Sequence, residues 1–262
     1  MNKTVQVIKY DLSYFLRLIL IVYAWMLGLF VLLPTTIHLI GSGTKGVLNT
    51  VSISFSIAST GAVLVNAALL FYFGFLTYER FSFLIQNGIS RRTGWAAKVV
   101  SLSIISLIAT VYDFIISMFS LLDGDGYNAI PYLSLYGHFF RSQIPNMVMM
   151  VIVTFIFMLT VAIIGMVVGS FFSLLTRRHQ KGALITAPII VILLFTVLSR
   201  AIRSKLISFT AIENFLKFLI GYSKTMGNFN PFVPSMIMVV LVIISLIISR
   251  GLNTKLKIKR GE

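Results

Sequence analysis

The sequence predicts an all-α, polytopic membrane protein. It reads as a single transmembrane domain over residues 1–262 with six spans, an N-terminal interfacial helix and an amphipathic outer helix between spans five and six. Three observations predict this. Hydrophobic residues make up 58% of the chain and charged residues 11%, where soluble domains carry about 25% charged residues; the mean hydropathy is +0.96. Six apolar runs are each long enough to cross a bilayer, which takes at least about 17 residues. Lys and Arg concentrate in alternate connecting segments.

Residues 1–17 mix Lys3, Lys9, Asp11 and Arg17 with Val5, Val7, Ile8, Tyr10, Leu12, Tyr14 and Phe15, the composition of an amphipathic helix lying in the interface. The apolar run that follows, 18–40, is too long for a cleavable signal, whose core is about 7–15 residues, and reads as a retained first span. Pro34 is expected to kink it. A turn over 41–46 leads to span two, 51–76, whose first half is rich in small residues that let helices approach closely in lipid.

Residues 77–98 form the longest polar-punctuated insert between two apolar runs on their side of the membrane. Glu79 to Gln86 can form two helical turns. Asn87-Gly88 supplies a stop, because glycine takes the left-handed conformation without steric cost. Ser90 is a good N-cap for the helix running into span three. The insert therefore reads as a short helix, a sharp turn and a second helix at the membrane surface.

Span three covers 99–122. A turn at 123–126 opens an outer loop containing Pro131 and Pro145. Span four, 146–175, carries Gly165, Gly169 and Ser173 on one face at i, i+4, i+8, which suits close helix packing; packing within the chain is favoured over a dimer seam. Residues 176–182 read as a tight basic turn, 183–199 as span five, and 200–231 as the outer loop. In that loop Thr210, Glu213, Asn214 and Lys217 alternate with Phe209, Ile212, Leu216 and Leu219 at helical spacing, and Glu213–Lys217 is a favourable i,i+4 pair. Span six covers 232–249, and a basic tail follows Arg250.

Six spans put both termini on one side. Fifteen of the 22 Lys and Arg residues lie there and seven opposite, so the positive-inside rule places both termini in the cytoplasm. The net charge of +15 flanks apolar spans, so topology and anionic lipid headgroups explain it, and no nucleic-acid partner is expected. Cysteine is absent, which removes disulfides and thiolate metal sites.

Catalytic chemistry is largely missing. There is no G-x-x-x-x-G-K-[ST] loop, so the chain cannot hydrolyse ATP by that route, and no enzymatic role is expected. His38, His138 and His179 lie in three separate segments, and no metal site is expected from them. Within the spans, Asp113 is the one acidic residue and is by default a functional candidate; pairing with an outer-loop Arg or Lys is favoured over a proton relay. Asn66 reads as glue between helices.

These features together resemble a known family. The six spans, the interfacial N-terminal helix, the stretch Phe83-Leu-Ile-Gln-Asn-Gly-Ile-Ser-Arg-Arg-Thr93 and the amphipathic outer helix are similar to ABC-2 type transporter permeases, in particular small bacterial permeases encoded apart from their ATPase. The likeness covers the whole chain in architecture and rests on 79–93 in residues. It implies that the 77–98 insert is a coupling helix seated in a cleft of a separate nucleotide-binding subunit. Glu79, Arg80, Phe83, Gln86, Asn87, Gly88, Arg91 and Arg92 would lie at that contact, with Phe83 and Ile89 as apolar anchors. It further implies two ATPase copies, a second permease copy or a homologous permease, and surrounding lipid. This chain would bind no cofactor, ATP and Mg being held by the partner. The location implied is a bacterial cell membrane, and the activity is export of peptide, antibiotic or lipid-like substrates. Two other classes stay open: a self-sufficient carrier or channel using Asp113, and a non-transporting immunity or assembly factor. A carrier is expected to lose transport on Asp113→Asn, whereas an ABC permease keeps most of it.

Overall fold

The structure, a computed structural model, describes residues 3–121, 130–204, 208–222 and 229–256. They are all-helical apart from one isolated bridge between Tyr222 and Phe229. Among the described residues, five helices are long and apolar enough to cross a membrane.

The first is a 40-residue run, Lys3–Ser42, made of α1 (Lys3–Leu27), a π-helical turn (Gly28–Leu32) and α2 (Leu33–Ser42). Pro34 explains the π turn. It offers no N–H and its ring crowds the carbonyl one turn back, so the helix widens just before it. Thr35 Oγ1 donates to Val31 O at 2.6 Å and Thr36 Oγ1 to Leu33 O at 2.9 Å, which satisfies carbonyls at the disruption. The break expected near residue 17, between an interfacial helix and the first span, does not occur. No Gly or Pro interrupts Lys3–Leu27, and the acidic residue of this stretch, Asp11, is buried at 3% exposure against a cation from another helix. At about 1.5 Å per residue the run is roughly 60 Å long, twice the hydrocarbon depth.

Helix α3 (Val47–Phe75) runs back, and α4 (Tyr78–Gln86) and α5 (Arg91–Ser120) follow. The buried residues of α5 recur every three to four positions from Gly94 to Ser120. Three of its buried hydroxyls are satisfied by its own backbone: Ser101 donates to Ala97 O, Thr110 to Ser106 O and Ser120 to Ser117 O. Residues 122–129, including the expected 123–126 turn, lie outside the described residues. A short α6 (Pro131–Tyr136) then caps the far end, and α7 (Gln143–Leu174) returns.

The α3–α7 seam is the most extensive in the bundle, and its glycines explain why. A Cβ on Gly165 would sit 2.3 Å from Phe71 O, on Gly169 2.2 Å from Phe75 O, and on Gly74 2.2 Å from Ala162 O. Backbone meets backbone at these three points. The small-residue face of 165, 169 and 173 is thus an intrachain seam, with Ser173 Oγ donating to Gly169 O at 2.6 Å.

Helix α8 (Arg177–Arg203) starts where a basic turn is expected: two residues, Leu175 and Thr176, separate it from α7. The turn is compact because Gln180 Nε2 reaches back to cap Phe172 O and Leu175 O at 2.8 and 3.2 Å. Helix α8 encloses the expected span 183–199 but is not one of the five apolar crossing helices. Among the described residues it packs extensively on no other helix, and its Ile185, Ile189, Leu193 and Phe195 are exposed.

Helix α9 (Phe209–Ile220) carries the expected Glu213–Lys217 pair at 2.5 Å. It stops at Gly221, where a φ of 77° and the 2.2 Å that would separate an added Cβ from Asn230 O exclude a side chain. Helix α10 (Phe232–Lys255) begins beside the start of α7, where Phe232 packs on Phe139 with ring centroids 6.0 Å apart. It ends beside the start of α5. Helices α7 and α10 are therefore parallel, and the chain between them must climb the height of the bundle. We call the end that holds the start of α1, the turn between α4 and α5 and the end of α10 the basal end, and the α6 end the distal end.

Candidate functional site

The basal end is organised by α4 and the turn after it, as the local chemistry predicts. Gly88 takes φ 68°; its N–H donates to Ile85 O at 3.0 Å and the Ile89 N–H to Leu84 O at 3.0 Å. These two bonds form a Schellman stop. Its apolar contact is present too, since Ile89 packs with Leu84, Val7 and Ala97. Ser90 then caps α5, its Oγ accepting from Thr93 N at 3.2 Å.

Three attachments hold this knuckle to the bundle. The first joins it to α1. Arg80 forms an ion pair with the buried Asp11 carboxylate, which also accepts from Ser101 Oγ of α5 at 3.2 Å. Burial pushes the Arg80 guanidinium down, to about 9, and the neighbouring Tyr10 works in the opposite direction. Nε and Nη1 of Arg80 have no hydrogen-bond acceptor among the described residues, so Asp11 is what offsets the buried charge.

The second attachment joins α5 to the end of α3. Lys98, 4% exposed, donates from Nζ to Gly74 O at 2.6 Å, Leu76 O at 2.9 Å and Thr77 Oγ1 at 2.9 Å. An α-helix leaves its last carbonyls unpaired, and a buried ammonium with three donors fits that need. The third joins α5 to α10. Arg91 Nη1 donates to Thr254 O at 2.6 Å, Asn253 Nδ2 to Arg91 O at 3.1 Å, and Trp95 Nε1 to Ser249 Oγ at 2.9 Å.

The residues singled out for a partner contact therefore divide. Glu79, Phe83, Gln86, Asn87, Gly88 and Arg92 are exposed on the knuckle. Phe83 is 46% exposed and stacks on Tyr10 at 5.5 Å. Arg91 is exposed but committed to Thr254 and lies 5.8 Å over the Phe81 ring. Arg80 and Ile89 turn inward, because Asp11 and the Schellman contact hold them there. Asp11, Lys98, Asn253 and Thr254 were not singled out by sequence. For Lys98 a signal existed: it sits in register with Ser101, Leu102 and Ile105 on the buried face of α5, and a lysine in that register needs acceptors.

A second polar locus lies inside the bundle. Asn66 Nδ2 of α3 donates to Asp113 Oδ1 of α5 at 2.7 Å, so Asn66 does join two helices. The expected loop cation for Asp113 is not found: among the described residues the ion pairs are Arg80–Asp11 and Lys217–Glu213. Asp113 instead faces an amide because its register on α5 points it at α3. Two of the three histidines are engaged locally, His38 with Lys45 O at 2.8 Å and His179 with Thr176 Oγ1 at 2.6 Å.

Fold and site together define an all-helical, multi-pass membrane protein with a braced polar knuckle at one end. No protein-family model, curated protein or solved structure matches the chain.

Proposed function

We propose that this chain is the membrane-spanning permease subunit of an ABC-2 type transporter, driven by a separate ATP-binding subunit that docks on the knuckle around Phe83 and Gly88. The observation that carries the reading is the bracing of α4 and its turn. One short element, exposed at its tip, is fastened through Asp11 to α1, through Lys98 to α3 and through Arg91 to α10. A displacement imposed on the tip is thereby delivered to several long helices at once. An ordinary topogenic loop has no need of a buried ion pair and a buried lysine. The tip also offers what a docking contact uses: an exposed aromatic anchor, Phe83, with Glu79 and Gln86 on the same face of α4 and Arg92 exposed at the start of α5.

The rest of the reading follows the same assignment. ATP and Mg belong to the partner, which binds in two copies. A second permease copy completes the pathway, and the exposed apolar side chains of α8 supply lipid-facing or intersubunit surface for it. The six-span arrangement draws support from the parallel course of α7 and α10: α8, 27 residues or about 40 Å long, is the described element between them long enough to make the return crossing. With the basic excess at the basal end, both termini are cytoplasmic in a bacterial cell membrane. The transported class is peptide, antibiotic or lipid-like, moved outward.

A self-sufficient carrier is the second reading, favoured by one observation: Asp113 has no cation partner among the described residues. Purification from native membranes in mild detergent separates the two. The permease reading expects a P-loop ATPase to copurify, and its absence would count for the carrier. Within the complex, Gly88→Pro breaks the Schellman stop, because proline requires a negative φ and lacks the N–H bonded to Ile85. Phe83→Ala removes the anchor, and loss of an anchor of this kind weakens association by about tenfold or more. Both variants are expected to insert normally while ATPase association falls or hydrolysis uncouples from substrate. Full substrate-stimulated hydrolysis in both would refute the docking assignment.

A further inference from the structure

A cavity of about 330 Å³ lies in the distal half of the bundle, between α3, α5 and α7 and beneath α6. Three polar side chains of α5 line it, Thr110, Asp113 and Ser117. Their spacing of i, i+3 and i+7 puts them on one face of the helix. The remaining wall is mostly apolar and aromatic, with Val63, Phe114, Met150 and Phe157 among its residues and Tyr136 entering from α6.

The carboxylate at this wall is incompletely satisfied. Asp113 is 3% exposed. Its Oδ1 accepts from Asn66, and its Oδ2 has no hydrogen-bond partner. Behind it, Asn66 Oδ1 and the Tyr23 hydroxyl are buried next to each other, and Tyr23 stacks on Tyr112 at 3.5 Å. One carboxylate oxygen of the locus, Asp113 Oδ2, is thus left without a donor. A carboxylate held in a low-dielectric bundle requires a proton or a cation.

The cavity decides which. A proton on Oδ2 needs no space, and the space is about ten times that taken by one water. An inorganic cation takes most of its ligands as oxygens, six or more for the larger ones, and most of this wall is carbon. What fits is a charged nitrogen with several N–H donors on an apolar body. The nitrogen meets Asp113 and the hydroxyl lone pairs of Thr110 and Ser117, and the body lies against aromatic faces that also attract cations. We propose that the cavity beneath α6 binds the ammonium head of a small amphipathic organic cation, seated on Asp113 Oδ2. The site belongs to this chain alone and stands whether or not an ATPase docks at the basal end, so the two proposals can fail separately.

The test uses the full-length protein in lipid nanodiscs and three probes: 2-phenylethylammonium, its neutral analogue 2-phenylethanol, and sodium ion. Equilibrium dialysis is expected to show saturable binding of the ammonium, with the alcohol weaker by about tenfold or more, since a charge-assisted hydrogen bond is lost. Asp113→Asn is expected to abolish that preference. Thr154→Phe, which fills the cavity from α7 and leaves the carboxylate in place, is expected to reduce ammonium binding by about tenfold, and it reads the site should Asp113→Asn fail to fold. Equal binding of ammonium and alcohol, no saturable binding, or wild-type binding by a folded variant at either position would overturn the proposal. Competitive displacement by millimolar sodium would overturn it in favour of a metal-ion site.

Discussion

Gly169→Val is expected to prevent the bundle from assembling, and Gly165→Val to do nearly the same. At both positions the new Cβ lands 2.2–2.3 Å from a backbone carbonyl oxygen of α3, about 1 Å inside the contact distance that carbon and oxygen tolerate. No flexible side chain can swing away, because the obstacle is the main chain itself. Helices α3 and α7 must part along the most extensive seam in the molecule. Overpacking a close interface costs about 1–3 kcal/mol where neighbours can adjust, and here they cannot, so the loss exceeds that range. Size-exclusion profiles in detergent should show aggregated or degraded protein. Gly61→Ala is the matched control. It lies in α3 with nothing within 4 Å of the added Cβ, and it is expected to be neutral or stabilising by up to about 1 kcal/mol.

Arg80→Met is expected to be the most damaging change at the basal end. It leaves the Asp11 carboxylate at 3% exposure with Ser101 as its remaining donor. Removing one partner of a buried ion pair costs about 3–5 kcal/mol. A drop on the order of 10 °C in melting temperature should follow for a chain of this size, read from Trp25 and Trp95 fluorescence in detergent. Adding Asp11→Leu to Arg80→Met should recover most of the loss, because the uncompensated charge is gone. The double variant should nonetheless couple poorly, since α4 is no longer fastened to α1. A single variant that melts like the wild type would show that Arg80 and Asp11 do not brace the knuckle.

What could be read from sequence follows the range of the interactions. The stop at Asn87-Gly88 and the cap at Ser90 depend on a few neighbouring residues, and both appear as expected. Hydropathy identified the apolar runs but not the helix limits: α5 begins at Arg91, eight positions before the apolar run, because Arg91, Arg92, Thr93 and Lys98 lower the hydropathy of a stretch that is nonetheless helical. The same limitation hid the continuity of α1 through Asp11. Arg80 read as a surface charge because its partner is 69 positions away, and no local pattern encodes that distance. Asn66 and Asp113 were each singled out as polar residues within spans. Their pairing depends on how α3 and α5 are rotated about their axes, which only the packed bundle shows.

On the proposed function, the exposed tip of the knuckle meets an ATPase. A photoreactive residue substituted for Gln86, which is exposed on the tip and makes none of the three attachments, tests it in native membranes. Illumination is expected to yield one dominant covalent adduct with a P-loop ATPase, its yield changing when ATP is added. Adducts with lipid alone, or with no nucleotide-binding protein, would contradict the claim.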